Sequence, residues 1–370
     1  MVPNLGGPCT HPLSYSVIFS FNTLLISETS KRRLTACLLE RRDMSLTAAE
    51  VVEHPAFNTV IWDLKPTEKG RCAVAHGRGG PIDIAYEIHG AGPVKLVWIM
   101  GLGAFKWYWQ RQTVDFGHDQ PSKYSCLIFD NRGMGESDKP VMRYSTSEMA
   151  KDTFDLLDHL GWIGERSVHV IGISMGGMIA QEMACLDPER MASLSLVSTA
   201  AQLKNTIGYF ENLRDRINIF IPKSLDKQIA EVKTRVSDSW LSQPDQDGDY
   251  PTNGDRFAAQ ELTKRQDTEG FTRKGFICQA LAAGWHKKSP EQLTEIAEKV
   301  GRERILVIHG TTDNLITVPH GEILAKELGG EEMGVTKRIF EGRGHYLPLE
   351  ERAEFKKLIE GIVEKAEAMR

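Results

Sequence analysis

The sequence predicts an α/β fold: a mostly parallel, eight-stranded sheet with helices on both faces and a helical insertion after the sixth strand. Three observations carry this. Strand-like apolar runs alternate with helix-like runs along most of the chain, the order expected when a parallel sheet is covered on both faces. The first two runs are separated by Gly77-Arg78-Gly79-Gly80-Pro81, a turn-rich stretch suited to a hairpin. Between Ala201 and Arg304 no good strand appears, and helix-like segments are separated by polar loops such as residues 243–254.

The expected strands are Cys72–His76, Ile82–Ile88, Lys95–Met100, Ser125–Phe129, Val168–Ile173, Leu194–Ser198, Ile305–Ile308 and Thr336–Phe340. A helix is expected over Ser147–Leu160, where apolar residues recur on one face and Ser147 can serve as N-cap. Met175–Leu186 follows directly from a strand, and Glu350–Ala368 closes the chain as a charged amphipathic helix. This divides the chain into a leader at 1–43, a core at 44–200 and 305–370, and a helical block at 201–304.

The bulk numbers exclude some partners. The chain has 370 residues, 41% hydrophobic and 26% charged, with a formal net charge of −5. No long Lys/Arg run points to nucleic acid or an anionic membrane. The six cysteines are scattered, without a C-x-x-C pair or a Cys/His cluster at metal-ligand spacing. Cys126, in a strand-like run, and Cys185, in a helix-like run, read as buried free thiols. With no N-x-S/T sequon, this fits a reducing, cytoplasmic setting better than secretion. In the leader, Tyr15–Ile26 is apolar but too short and too polar to span a bilayer, so no stable membrane insertion is expected. The basic patch Lys31, Arg32, Arg33, Arg41 and Arg42 leaves three readings: a weak mitochondrial presequence, a disordered tail, or an upstream extension with translation starting at Met44.

The chemistry concentrates in Gly172-Ile173-Ser174-Met175-Gly176-Gly177. It fits G-x-S-x-G, with an apolar strand before it and a helix after it. The turn is sharp. Small residues at Gly172 and Gly176 let neighbouring backbones approach, and the serine hydroxyl is left exposed at the strand's end. The following helix N-terminus adds a positive field where an oxyanion would form.

With these residues the chain resembles the α/β-hydrolase superfamily, and further matches follow in that family's order. Asp130-Asn131-Arg132-Gly133-Met134-Gly135-Glu136-Ser137 looks like its D-x-R-G-x-G-x-S loop, a supporting turn. His309-Gly310-Thr311-Thr312-Asp313 resembles its H-G-x-x-D acid motif, and Thr317-Val318-Pro319 then begins a helix. Gly342-Arg343-Gly344-His345 resembles the G-x-G-H loop that carries the catalytic histidine. The resemblance runs from about Cys72 to the C-terminus. It implies a Ser174, Asp313, His345 triad in the order of that fold. His345 would take the serine proton and return it to the leaving group, and Asp313 would hold the imidazole in the useful tautomer. His309 reads as structural.

The resemblance also implies an oxyanion hole from the amides of Met175 and Leu102, the latter in Met100-Gly101-Leu102-Gly103. Met100 stands where the commoner H-G form has histidine, but a backbone donor does not depend on that side chain. The elbow holds serine, not the aspartate that epoxide hydrolases and haloalkane dehalogenases of this fold require. No metal motif, P-loop or dinucleotide fingerprint appears, so no cofactor is expected. Around the site, Phe105, Trp107, Tyr108 and Trp109 follow the oxyanion loop. The helical block, expected to act as a cap, adds Phe210, Phe220, Trp240, Phe271, Phe276 and Trp285. Trp107, Trp240 and Trp285 are the candidates to line an apolar substrate cavity. The reading that follows is a hydrolase of a small or medium hydrophobic ester, methyl ester or lactone. The same triad also suits carbon–carbon bond hydrolysis or acyl transfer, and the fold has non-catalytic ligand-binding members.

Overall fold

The computed structural model describes residues 45–203 and 224–370. The leader reading and the aromatics Phe210 and Phe220 lie outside these residues. All eight expected strands form: β1 (Glu68–Val74), β2 (Ile82–His89), β3 (Val94–Ile99), β4 (Tyr124–Phe129), β5 (Val168–Ile173), β6 (Met191–Val197), β7 (Ile305–Gly310) and β8 (Thr336–Phe340). They make one sheet in the order β1-β2-β4-β3-β5-β6-β7-β8. The β1–β2 hairpin is antiparallel, with Cys72 opposite Ile84, and β2 pairs antiparallel to β4. From β4 to β8 every pairing is parallel. β1 begins at Glu68, ahead of the expected Cys72, because its first half is largely solvent-facing and polar. Apolarity marks only buried strand residues, so an exposed edge escapes it.

Helices cover both faces. On one side lie α1 of the core layer (Thr146–His159), α2 (Met175–Leu186) and the long apolar face of Pro290–Val300. Their residues Leu156, Met183 and Ile296 share a cluster with Val97, Val170 and Leu196 of the sheet. On the other side Trp109, Phe116, Phe355 and Ile359 pack on Leu96, Trp98 and Ile171. Two boundaries differ from expectation. The N-cap of Thr146–His159 is Ser145, whose hydroxyl accepts from the Glu148 amide, while Ser147 lies inside the helix. The closing helix is broken at Glu351 into Leu347–Glu350 and Arg352–Glu367, because the Glu350 side chain turns back to accept from the Gly344 and Ser237 amides. Cys126 is buried, and burial pushes its thiol up to about 12, but Cys185 is exposed.

The described part of the helical block comprises α3 (Leu225–Lys233), α4 (Asp238–Leu241), α5 (Asn253–Gln266), α6 (Arg273–Trp285) and α7 (Pro290–Val300). The last of these joins the sheet core through Leu293, Ile296, Ala297 and Val300, so the block that stands apart from the sheet ends with α6. A short helix ahead of β1, Ala48–Glu53, does the reverse: Val51, Phe57 and Val60 pack with Ile229, Ala258 and Leu262 of the block. Between α4 and α5, Asp245 accepts from the amides of Asp247, Asp249 and Tyr250 and is paired with Arg256 at 2.8 Å. The Arg256 guanidinium occupies the centre of this acidic loop.

Candidate active site

Ser174 sits between the end of β5 and the start of α2, at φ 57 and ψ −122. A non-glycine residue in such a conformation costs about 1–3 kcal/mol and is held only where the surroundings over-determine it. Here the Ser174 amide donates to the Val197 carbonyl at 2.9 Å, and Thr199 Oγ1 donates to the Ser174 carbonyl at 2.7 Å. A Cβ on Gly172 would collide with the Gly176 backbone, and one on Gly176 with the Ile99 carbonyl. The elbow therefore needs both glycines.

The loop after β3 runs against this serine. A Cβ on Gly101 would stand 3.0 Å from Ser174 Cβ and 3.5 Å from its Oγ. Both flanks of the loop are pinned. Asn131 Nδ2 donates to the Met100 carbonyl at 3.0 Å, and the Gly103 amide donates to Gln279 Oε1 at 2.9 Å. Gln279 Nε2 in turn donates to the Arg132 carbonyl at 2.9 Å. Among the described residues nothing accepts from the Leu102 amide. The Met175 amide opens α2, where the helix field favours negative charge. Gln279 lies on α6 and is wholly buried. Sequence reasoning missed it, because a lone glutamine in a helix carries no motif.

Asp313 and His345 meet as a buried pair, Nδ1 to Oδ2 at 2.7 Å. Asp313 Oδ1 accepts from the amides of Leu315 and Ile316. Burial opposes ionisation of Asp313, but the His345 charge and the hydrogen bonds from His309 and His345 outweigh it. They hold the carboxyl well below the usual carboxylate range. A carboxylate accepting at Nδ1 fixes the proton there and leaves the Nε2 lone pair unprotonated. His309 reaches the Ile316 carbonyl at 2.6 Å, a bond that supports the turn around Asp313. The His345 loop is anchored by Glu350 at Gly344 and by the Arg235 carbonyl, which accepts from the His345 amide at 2.7 Å.

Residues next in sequence to the three motifs line one cavity. Ile173, Met100 and Tyr346, the neighbours of Ser174, Gly101 and His345, line it together with Tyr108, Trp109, Arg111, Gln112, Gln260, Pro348 and Leu349. Of the tryptophans expected there, Trp107 stacks on Tyr108 at 4.2 Å, one residue from the lining. Trp240 and Trp285 are not brought to it. Trp240 packs with Val232, Val236 and Phe257 inside the block, and Trp285 is 59% exposed beside Arg143. No group of three or more His, Cys, Asp or Glu side chains that would hold a metal ion occurs among the described residues. Nor is any helix among them long and apolar enough to cross a membrane.

The chain is similar to several hydrolases. It is 34% identical over 143 residues to a putative carbamate hydrolase of Azorhizobium caulinodans, a match spanning 38% of this chain and 51% of that protein. With 3-oxoadipate enol-lactonase 2 of Acinetobacter baylyi it shares 29% identity over 233 residues, 63% of this chain and 76% of that one. With 2-hydroxymuconate semialdehyde hydrolase of Pseudomonas putida it shares 25% over 305 residues, 79% of this chain and 90% of that one. The sequence model of the alpha/beta hydrolase fold matches residues 96–352. Sheet order, elbow and family match agree, and the chain belongs to the alpha/beta hydrolase fold family.

Proposed function

We propose that this protein is a serine hydrolase that cleaves a carboxylic ester or lactone of small to medium size through an acyl-enzyme. The observation that carries the reading is the strained Ser174 elbow, packed against the Gly101 backbone and sharing a cavity with the Asp313–His345 loop. His345 Nε2 takes the Ser174 proton as Oγ attacks the carbonyl carbon. The oxyanion is met by the Leu102 and Met175 amides. On collapse the proton passes to the departing alcohol oxygen, and water repeats the sequence to release the acid. The lactonase relative supports an ester bond as the target.

A second reading, hydrolysis of a carbon–carbon bond beside a ketone, draws support from the 2-hydroxymuconate semialdehyde hydrolase, which the match covers over most of its length. The same base and oxyanion donors serve it, with carbon as the leaving atom. Ser174→Ala tests both. It should lower turnover by roughly five to six orders of magnitude with an unchanged melting temperature. A folded Ser174→Ala protein that keeps its turnover sinks the assignment. A wild-type panel of esters and vinylogous diketones separates the two readings.

A further inference from the structure

The short helix Leu347–Glu350 follows the histidine loop directly, with Tyr346 as its N-cap and Pro348 in its first turn. Proline suits that place, since its fixed φ is helical and its missing N–H would have no intrahelical partner. In a helix, side chains tilt toward the N-terminus and residue i+4 stands over residue i. The Glu350 side chain therefore returns to the backbone that precedes it. The Glu350 amide donates to the Tyr346 carbonyl at 2.9 Å, and Glu350 Oε1 accepts from the Tyr346 amide at 3.3 Å. Oε2 accepts from two further amides, Gly344 at 2.9 Å and Ser237 at 3.0 Å. Glu350 is buried and forms no ion pair among the described residues. Its carboxylate is met instead by three backbone N–H groups, in charge-assisted bonds that offset the cost of burying it.

These bonds complete the account of the loop that carries His345. The amides of Gly344 and Tyr346 go to Glu350, and the His345 amide between them goes to the Arg235 carbonyl at 2.7 Å. Two residues of the turn after α3 take part. Arg235 accepts from His345, and Ser237 shares Glu350 Oε2 with Gly344. The approach is close enough to dictate sequence. A Cβ on Gly344 would collide with the Arg235 carbonyl and stand 3.0 Å from Glu350 Oε1 and from Val236 Cα. The glycine before the histidine is thus required by its neighbours. Glutamate at 350 is equally specific. A carboxylate offers two acceptor oxygens, and a glutamine amide offers one oxygen and an NH2. Whichever way a glutamine turned, its NH2 would face a backbone N–H.

We propose that Glu350 is a positioning residue for His345. Its carboxylate clamps the histidine loop to the turn after α3, so the imidazole is held in line for proton transfer only while that turn is seated. The inference rests on the serine-hydrolase reading above, in which His345 carries the proton between Ser174 and the leaving group. Misplacing such a group by about 1 Å costs about a hundredfold in rate.

The test compares Glu350→Gln and Glu350→Asp with wild type on a p-nitrophenyl ester, using the full chain. Glutamine keeps the size and loses one acceptor. Aspartate keeps the charge and loses the reach. In both, kcat should fall about tenfold to a hundredfold while KM stays within about twofold. The downfield proton resonance of the His345 Nδ1–H, sharp in wild type, should broaden in both. A wild-type kcat in folded Glu350→Gln overturns the proposal, because the side chain then only fills space. A wild-type kcat in Glu350→Asp also overturns it, because the charge then suffices without the clamp. A rise in KM alone overturns it in favour of substrate contact. If neither variant folds, hydrogen exchange of the wild type decides. The Gly344, His345 and Tyr346 amides should exchange at least about a hundredfold more slowly than in an unfolded chain, and fast exchange overturns the clamp. Each of these failures leaves Ser174 essential. Retained turnover in Ser174→Ala would remove the serine chemistry and leave the exchange result standing, so the two failures read differently.

Discussion

At Gln279 one side-chain amide joins three segments of the chain: α6, the loop after β3 and the loop after β4. Its two bonds fix the Gly103 amide, and so the orientation of the neighbouring Leu102 amide. Gln279→Met keeps the shape and removes both bonds. We expect kcat to fall roughly tenfold to a hundredfold, as misplacing a group by about an ångström does, with KM little changed. Steady-state kinetics and a thermal melt on the same preparation check this, and a fall in KM-dependent binding alone would assign Gln279 to substrate contact instead. The residues that carry motif signatures, Ser174, Asp313 and His345, were legible in the sequence, because each follows a strand-like run in a turn whose glycines have a steric reason. Gln279, Gln260, Arg111 and Glu350 were not. A polar residue in a helical pattern reads as solvent-facing, and only the packing reveals that these four point inward.

At the scale of elements the same blind spot explains α5. Asn253, Asp255, Arg256, Gln260, Glu261 and Lys264 are all buried there, although the helix reads as polar. Its charges are matched in pairs, Arg256 with Asp245 and Lys264 with Glu261. Aromatic content misled in the opposite direction, since Trp240 and Trp285 differ in burial without any difference in local pattern. The strands were legible because five of them, β3 to β7, form the parallel-paired centre and are largely buried on both faces. The antiparallel end of the sheet has its own electrostatics. In β2, burial alone would raise the Glu87 carboxyl. The hydrogen bond to His89 and the charges of Lys106 and Lys69 outweigh it and bring it down to about 2. An unfolded glutamate titrates near about 4.3. The folded value lies below this, so the group's stabilisation is fully present above that pH and is lost as pH falls toward 2. Glu87→Gln should therefore flatten the acid limb of the stability curve between about pH 4.3 and 2, measured by urea unfolding at stepped pH. An unaltered slope would mean that Glu87 is not titrating with folding.

Across the whole molecule, the segment before β1 belongs with the inserted helices. The Leu46 amide donates to Asp255 and the Ala48 amide to Asp226, while Val51, Phe57 and Val60 are buried against α3 and α5. Full burial of side chains of this size is worth roughly 1.5–3 kcal/mol each. A chain beginning at Met44 keeps all of these contacts and should fold and retain its kcat/KM. One beginning at Pro66 should be destabilised by several kcal/mol, on the same area argument, and should lose activity. Urea midpoints and ester hydrolysis of the two truncations decide it, and equal stability would show that this packing contributes nothing.

The tethering of the reactive loops to α6 and to the turn after α3 has a consequence under heat. The Gly103 amide is held by Gln279 and the His345 amide by Arg235, so both loops depend on helices that lie outside the sheet. The sheet rests on an extensive apolar interior, whereas these helices are held largely by matched charges and smaller apolar clusters. Regions with fewer apolar contacts open at lower free energy than the core. On slow warming, catalysis should therefore fail first, several degrees below the loss of sheet circular dichroism, and should return on cooling as long as the sheet has not melted. The working ceiling of this protein is then the temperature at which its inserted helices loosen.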